Sequence, residues 1–323
     1  MKENFSFINN SILGAIIGDC LGVPVEFFSR NELKKKPVIN MRGNGTHNRP
    51  KGTWSDDTAF ILATLDGLTI PFDLKIIAEN FVNCYYHDEY WQKSLFDIGQ
   101  GTRIGIENIY EHLASNNFDE EEEYGDIRDG NGSLMRMLPI VLYIYILKDS
   151  DFLDFESRKN FVYKISALTH KNKKSKLACH MYVEYCLFLL NGYNKHDAYY
   201  MLCDLFNEYA GDEEFKILLN KRLHKVKMKK ISSSGYVIDS LIASLWCFLT
   251  ETSYITTVLK AVNLGGDTDT IACISGGIAG LYYEIEKQIS GLISDIYNIE
   301  KAKCIIDKFK EKILSKNIIN WHK

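Results

Sequence analysis

Apolar residues recur at helical spacing through most of this chain. Ile12, Leu13, Ile16, Ile17, Cys20 and Leu21 share one broad face. Phe60, Ile61, Leu62, Leu65 and Leu68 form a second stripe, and Leu134, Met137, Leu138, Val141, Leu142 and Tyr145 a third. Leu177, Met181, Tyr185, Cys186 and Leu189 follow, then Val237, Ile238, Leu241, Ile242, Leu245 and Trp246, and finally Ile271, Ile274, Ile278 and Leu281. A period near 3.6 is the mark of helices that bury one face. No stretch sustains the strict alternation of a half-buried strand, and only five prolines interrupt the chain. The pattern predicts an all-α fold.

Little else divides the sequence. Residues 34–54 hold Gly43, Gly45, Pro50 and Gly52 and read as a long loop, which inside a compact domain is often functional. Glu120 to Glu123 read as a solvated loop or helix end. Gly276 and Gly280, four apart, let another helix come close. No linker and no internal repeat is evident. With 323 residues, 46% hydrophobic and 25% charged, the composition is that of a soluble globular protein.

A net charge of −4 gives no general electrostatic support for a nucleic-acid partner. The lysine runs at 34–36 and 225–230 are local and read as solvated faces. None of the eight cysteines forms a C-x-x-C pair, and several fall in apolar helical patterns. Reduced, buried thiols in a cytoplasmic protein are expected. The N-terminus has no apolar secretory core. The longest membrane candidate, Leu138 to Leu147, is half the length of about 20 residues that a span needs, so a core helix is expected there.

Two short acidic clusters change the picture. Gly52-Thr53-Trp54-Ser55-Asp56-Asp57-Thr58 and Gly265-Gly266-Asp267-Thr268-Asp269-Thr270 lie far apart, and each opens into an apolar run. Taken singly, each is better explained as a helix cap, since Ser, Thr and Asp oxygens accept from the free N–H groups of a first turn. Capping needs one such residue, however, and here each cluster has two acids plus hydroxyls. Neighbouring carboxylates repel, and a cation is their natural compensation. Facing each other, the clusters would make an all-oxygen cage suited to a hard cation such as Mg²⁺.

Three further segments set chemically capable residues beside glycine, which lets a ligand approach backbone N–H groups. They are Gly18-Asp19-Cys20-Leu21-Gly22-Val23-Pro24-Val25-Glu26, Phe96-Asp97-Ile98-Gly99-Gln100-Gly101-Thr102-Arg103 and Asp129-Gly130-Asn131-Gly132-Ser133-Leu134-Met135-Arg136. Each alone is weak, and Gly-Asn-Gly is more often a plain turn. His170 is the one histidine that stands out, and with no second histidine placed beside it zinc is not expected. No P-loop, G-x-S-x-G or G-x-G-x-x-G pattern occurs.

The ordered set of motifs at 18–26, 52–58, 96–100, 130–136 and 265–270 resembles the ADP-ribosylglycohydrolase family. The resemblance implies a compact single-domain orthogonal helical bundle spanning 1–323, with its core at about 8–315 and a central cleft for two Mg²⁺ or Mn²⁺ ions. It implies metal ligation by Ser55, Asp56, Asp57, Asp267, Asp269 and Thr270; the family often has Thr where Ser55 stands. It implies hydrolysis of mono-ADP-ribosylated protein, with Asp97 the first candidate acid, Glu26 the second, and Asp57 also at the reacting centre. Substrate contacts are expected from Gly99, Gln100, Thr102, Leu134, Met135, Gly265 and Gly266. Gln100 replaces the Asn usual in the nitrogenase-regulating branch. Asn131, Gly132 and Ser133 are expected to cradle a pyrophosphate, and His170 to orient ribose or phosphate.

The Phe-Asp-Ile-Gly segment resembles the arginine-processing branch, so cleavage of ADP-ribosyl-arginine is the expected reaction. Hydrolysis of O-linked ADP-ribose is the alternative, and a non-catalytic ADP-ribose binder a third reading. Five intact motifs weigh against the binder, which has no need of paired ions and acids together. A metal phosphatase or nuclease is disfavoured by the lack of a basic groove. A monomer, with no membrane partner, is expected.

Overall fold

Fifteen α-helices run through residues 5–147, 152 and 154–320, the part of the chain that the computed structural model describes. No strand occurs among the described residues; three isolated bridges, Asn44 with Arg49, Asp126 with His170 and Gly130 with Tyr236, tie loops together. The apolar stripes read from the sequence converge on one continuous core.

The centre of that core is a pair of helices from opposite ends of the chain. Ser6–Gly22 packs along Thr268–Tyr282, and glycines make the seam. A Cβ on Gly18 would lie 2.1 Å from the Ala272 carbonyl oxygen, and one on Gly22 would lie 2.3 Å from Asp269 Cα. Across the seam, a Cβ on Gly276 would meet the Gly14 oxygen at 2.2 Å and one on Gly280 the Asn10 oxygen at 2.3 Å. Gly276 and Gly280 therefore have the close-packing role that their spacing suggests. The seam sets the Gly22 backbone against that of Asp269, and the carboxylates of Asp19 and Asp269 come within 4.8 Å of each other.

Two expectations need adjustment. The stripe from Leu134 to Tyr145 is broken: a short 3-10 turn at Leu134–Arg136 precedes a helix that starts at Leu138. Pro139 is in that helix's first turn, where its missing N–H costs nothing, so the start is fixed there. Ser6–Val25 is also long and apolar enough to cross a membrane, a length the sequence reading gave to no segment. Nearly all of it is buried inside the protein, the state of a core helix.

Candidate metal centre and active-site cavity

The first acidic cluster begins the helix Asp56–Gly67. Ser55 is its N-cap, accepting from Asp57 N–H at 3.2 Å. Capping is thus real, and it leaves the carboxylates of Asp56 and Asp57 free for something else. The second cluster begins the helix Thr268–Tyr282, where Asp267 is the first flanking residue and makes no side-chain cap bond. The two helix starts meet. Thr270 Oγ1 donates to Asp57 Oδ2 at 3.1 Å, and Ser55 Oγ donates to the same oxygen at 3.1 Å.

Asp19 locks the first cluster in place. Its fully buried carboxylate accepts from Ser55 N–H at 3.0 Å, from Thr58 N–H at 3.1 Å and from the Thr58 hydroxyl at 2.5 Å. Ligand oxygens of Asp19, Asp57 and Asp269 lie within 4.8 Å of one another, as do those of Glu26, Asp267 and Asp269. No lysine or arginine among the described residues pairs with these aspartates. Burial first, then neighbouring carboxylates, raises the pKa of Asp57 and Asp269 well above the usual range, and Asp56 shifts the same way.

The cage passes a test of fit for a hard cation. Asp57 Oδ1 and Asp269 Oδ2 are buried and have no hydrogen-bond partner. A carboxylate oxygen left bare inside a protein is costly, and several together call for a positive charge. Every donor present is oxygen, the set preferred by Mg²⁺, Mn²⁺ or Ca²⁺ over zinc.

Beside the cage is a second acid group. Glu26 is buried, its carboxyl bonds to that of Asp97, and His47 Nε2 makes a short contact with Glu26 Oε2. The same nitrogen is 3.8 Å from Asp97 Oδ2. Burial raises the pKa of both acids; the neighbouring Asp97 adds to the shift on Glu26. Asp97 does not cap the next helix. Gly99 holds that position, without a side-chain bond, and its N–H donates to Asp56. Asp97 instead sits in left-handed backbone at φ 59°, a conformation Asp tolerates.

Both acid groups border one cavity of about 720 Å³. Its far wall carries His170, fully buried and held by a relay. Arg136 Nη2 donates to Thr169 Oγ1 at 2.7 Å, and the same hydroxyl is hydrogen-bonded to His170 Nδ1 at 2.9 Å. Burial, then the Arg136 charge, lowers the His170 pKa to about 3, so the ring stays neutral. Nε2 faces Gly101, Gly130 and Gly132; a Cβ on Gly132 would come within 2.8 Å of the ring and 2.4 Å of Thr102 Oγ1. Glycine there keeps a donor-lined floor open.

A family model described as ADP-ribosylglycohydrolase matches residues 3–315. The chain belongs to that family. Among its relatives, the ADP-ribosylarginine hydrolase Tri1 of Serratia proteamaculans is 29% identical over 87% of this chain and 73% of its own length. The ADP-ribosyl-[dinitrogen reductase] glycohydrolase of Rhodospirillum rubrum is 27% identical, with 88% of each chain covered. The ADP-ribosylhydrolase ARH3 of Danio rerio is 24% identical over 87% of this chain and 84% of its own. A solved structure, an ADP-ribosylglycohydrolase-related protein complex, has the same fold, with a TM-score of 0.74 at 22% identity over 97% of this chain and all of that one. The protein is a hydrolytic enzyme of this family.

Within this glycohydrolase, most residues singled out from sequence converge. Glu26, Asp56, Asp97, Gly99, Gln100, Thr102, Asn131, Gly132, Met135, His170, Gly266, Asp267 and Thr270 all border the cavity. Asn131 also orients the cage: its amide donates to Asp267 Oδ2 at 2.6 Å. Ser55, Asp57 and Asp269 lie behind that surface in the buried cage, and three more residues lie elsewhere. The Ser133 hydroxyl is turned inward to Cys179 and Ser166, Leu134 is in the core, and Gly265 packs on the backbone of Phe28 and Arg30.

Sequence reasoning missed three contributors. Asp19 lies in the 18–26 motif, where Glu26 is the more conspicuous acid. His47 was hidden in the 34–54 loop. Ser233–Tyr236, which lines the cavity, reads in sequence only as a Ser- and Gly-rich loop.

Proposed function

We propose that the protein hydrolyses the N-glycosidic bond between ADP-ribose and an arginine side chain of a modified protein. The observation that carries this reading is the placement of a separate acid pair, Glu26 and Asp97, beside the buried aspartate cage on one cavity. The arginine linkage draws support from the relatives named ADP-ribosylarginine hydrolase Tri1. The relatives named ARH3 keep O-linked ADP-ribose as the second reading.

Two Mg²⁺ or Mn²⁺ ions would be held by Ser55, Asp56, Asp57, Asp267, Asp269 and Thr270, with Asp19 behind them. When bound, such an ion acts as a Lewis acid toward oxygen ligands. The chain's own groups account for the rest. Hydrolysis breaks the bond from the anomeric carbon to nitrogen; water supplies a hydroxyl to carbon, and nitrogen leaves with a proton. The guanidinium departs as neutral guanidine and then regains a proton, so an acid pair that shares one proton by burial can both hold the cation and return the proton. Asp97, with Glu26 sharing its proton, fills that role. The ring of neutral His170 and the backbone N–H groups of Gly130 and Gly132 offer polar contacts to the oxygens of ADP-ribose, while the Asn131 N–H is engaged by the Gly235 carbonyl at 3.1 Å.

The test offers the purified protein an ADP-ribosyl-arginine peptide and an ADP-ribosyl-serine peptide, with Mg²⁺ and with EDTA, and follows ADP-ribose release. Mg²⁺-dependent release from the arginine peptide is expected. Release from the serine peptide alone would overturn the linkage, and equal release in EDTA would overturn the role of the cage.

A further inference from the structure

Phe27 adopts a conformation that nothing local favours. Its φ is 65°, in the left-handed region that disfavours a bulky L-residue, and it is 68% exposed. The strain is imposed from outside. Phe27 N–H donates to the Gly266 carbonyl at 2.8 Å, and Gly266 N–H donates to the Phe28 carbonyl at 2.8 Å. Gly265 and Gly266 both have positive φ, and a Cβ on Gly265 would lie 2.7 Å from the Phe28 oxygen. This two-glycine clasp joins the Glu26 segment to the second acidic cluster.

A ring so exposed returns little of this cost through core packing. It faces the catalytic cavity directly after Glu26, and its centroid lies 6.3 Å from that of His47, the ring that contacts Glu26. An aromatic face beside two carboxyl groups is the combination that binds a guanidinium: the ring takes the flat face and the acids take the N–H edge. An O-linked substrate offers no such cation.

We propose that Phe27 is a specificity-determining residue, its ring stacking on the guanidinium of the ADP-ribosylated arginine. The proposal rests on the arginine reading above and adds to it the group that recognises the acceptor. The clasp holds the ring ready before substrate arrives, so the backbone strain serves binding.

The experiment compares wild type with Phe27→Ala, Phe27→Gly and Phe27→Trp on the ADP-ribosyl-arginine peptide, and measures ADP-ribose affinity and Tm for each. Phe27→Ala and Phe27→Gly should lose about tenfold in kcat/KM, with ADP-ribose affinity unchanged, and Phe27→Trp should retain activity. Phe27→Gly should also raise Tm, because glycine takes this φ freely. Greater stability with poorer turnover is a signature that a merely structural residue would not give. Unchanged kcat/KM in Phe27→Ala would overturn the proposal while the arginine reading stood. An equal loss of ADP-ribose affinity would assign the ring to the ADP-ribose side instead, and a lowered Tm in Phe27→Gly would make it structural. A wild type inactive on the arginine peptide would defeat both readings together.

Discussion

Removing divalent cations should destabilise the protein at neutral pH and hardly at all in acid. Asp19 shows the size of the effect. Burial raises its pKa from 3.8 to about 6, against the lowering pull of the Thr58 and Ser55 hydrogen bonds. Below the unfolded value both states hold the proton, and its contribution to stability is fully present. As pH rises from there toward 6, the unfolded chain releases a proton that the folded chain keeps, so stability falls; above 6 the loss is complete. A shift of about two units amounts to about 3 kcal/mol. Asp56, Asp57, Asp267 and Asp269 are shifted in the same direction, by burial first. A cation in the cage relieves this cost where the acids are ionised. At roughly 2 °C per kcal/mol for a chain of this size, the gain in Tm from Mg²⁺ should be about 6 °C near pH 7.5 and should vanish toward pH 4. Calorimetry of EDTA-treated and Mg²⁺-loaded protein across that range is the assay. His170, with its pKa lowered to about 3, loses stability as pH falls below 6.5, but it does so in both samples and cancels in the difference. An increment that is absent at pH 7.5, or flat with pH, or intact in Asp57→Asn, would refute the cage.

Asp97→Asn should cut kcat on the arginine peptide by about 10²-fold or more and leave ADP-ribose affinity nearly unchanged, since Asn keeps the shape but carries neither proton nor charge. Unchanged kcat would pass the proton-donor role to Glu26. Gly22→Ala should cost more than about 2 kcal/mol in urea unfolding, because the new Cβ would fall 2.3 Å from Asp269 Cα. Gly211→Ala, where nothing lies within 4 Å of the added methyl, should be close to neutral; similar losses in both would mean the seam is not tightly closed.

The helices that form the core announce themselves in the chain because burial of a stripe is a local pattern. Ile12 to Leu21 and Ile271 to Leu281 show that periodicity before any contact is known. The paired acids were legible for the same kind of reason: Asp56-Asp57 and Asp267-x-Asp269 are too acidic for capping alone. Other residues gave no such sign. His47 joins the site only because the loop from 34 to 54 folds back on Glu26, and the Ser133 hydroxyl turns inward to Cys179 and Ser166.

By itself, then, the sequence determined the helical class, the oxygen-rich ligand set and the family motifs, all of which depend on residue type and near-neighbour spacing. The tertiary structure alone decided which carboxylates meet, which stay unpartnered and which side of each glycine is open. Those are properties of distance across the chain. Asp19 reaches Thr58, and Asp57 reaches Thr270, across helices far apart in the chain, while the glycine seam brings the backbones of the helices that carry Asp19 and Asp269 closer than side chains would allow. Phe27 takes its strained backbone from Gly265 and Gly266, far along the chain, and no pattern around residue 27 forecasts it.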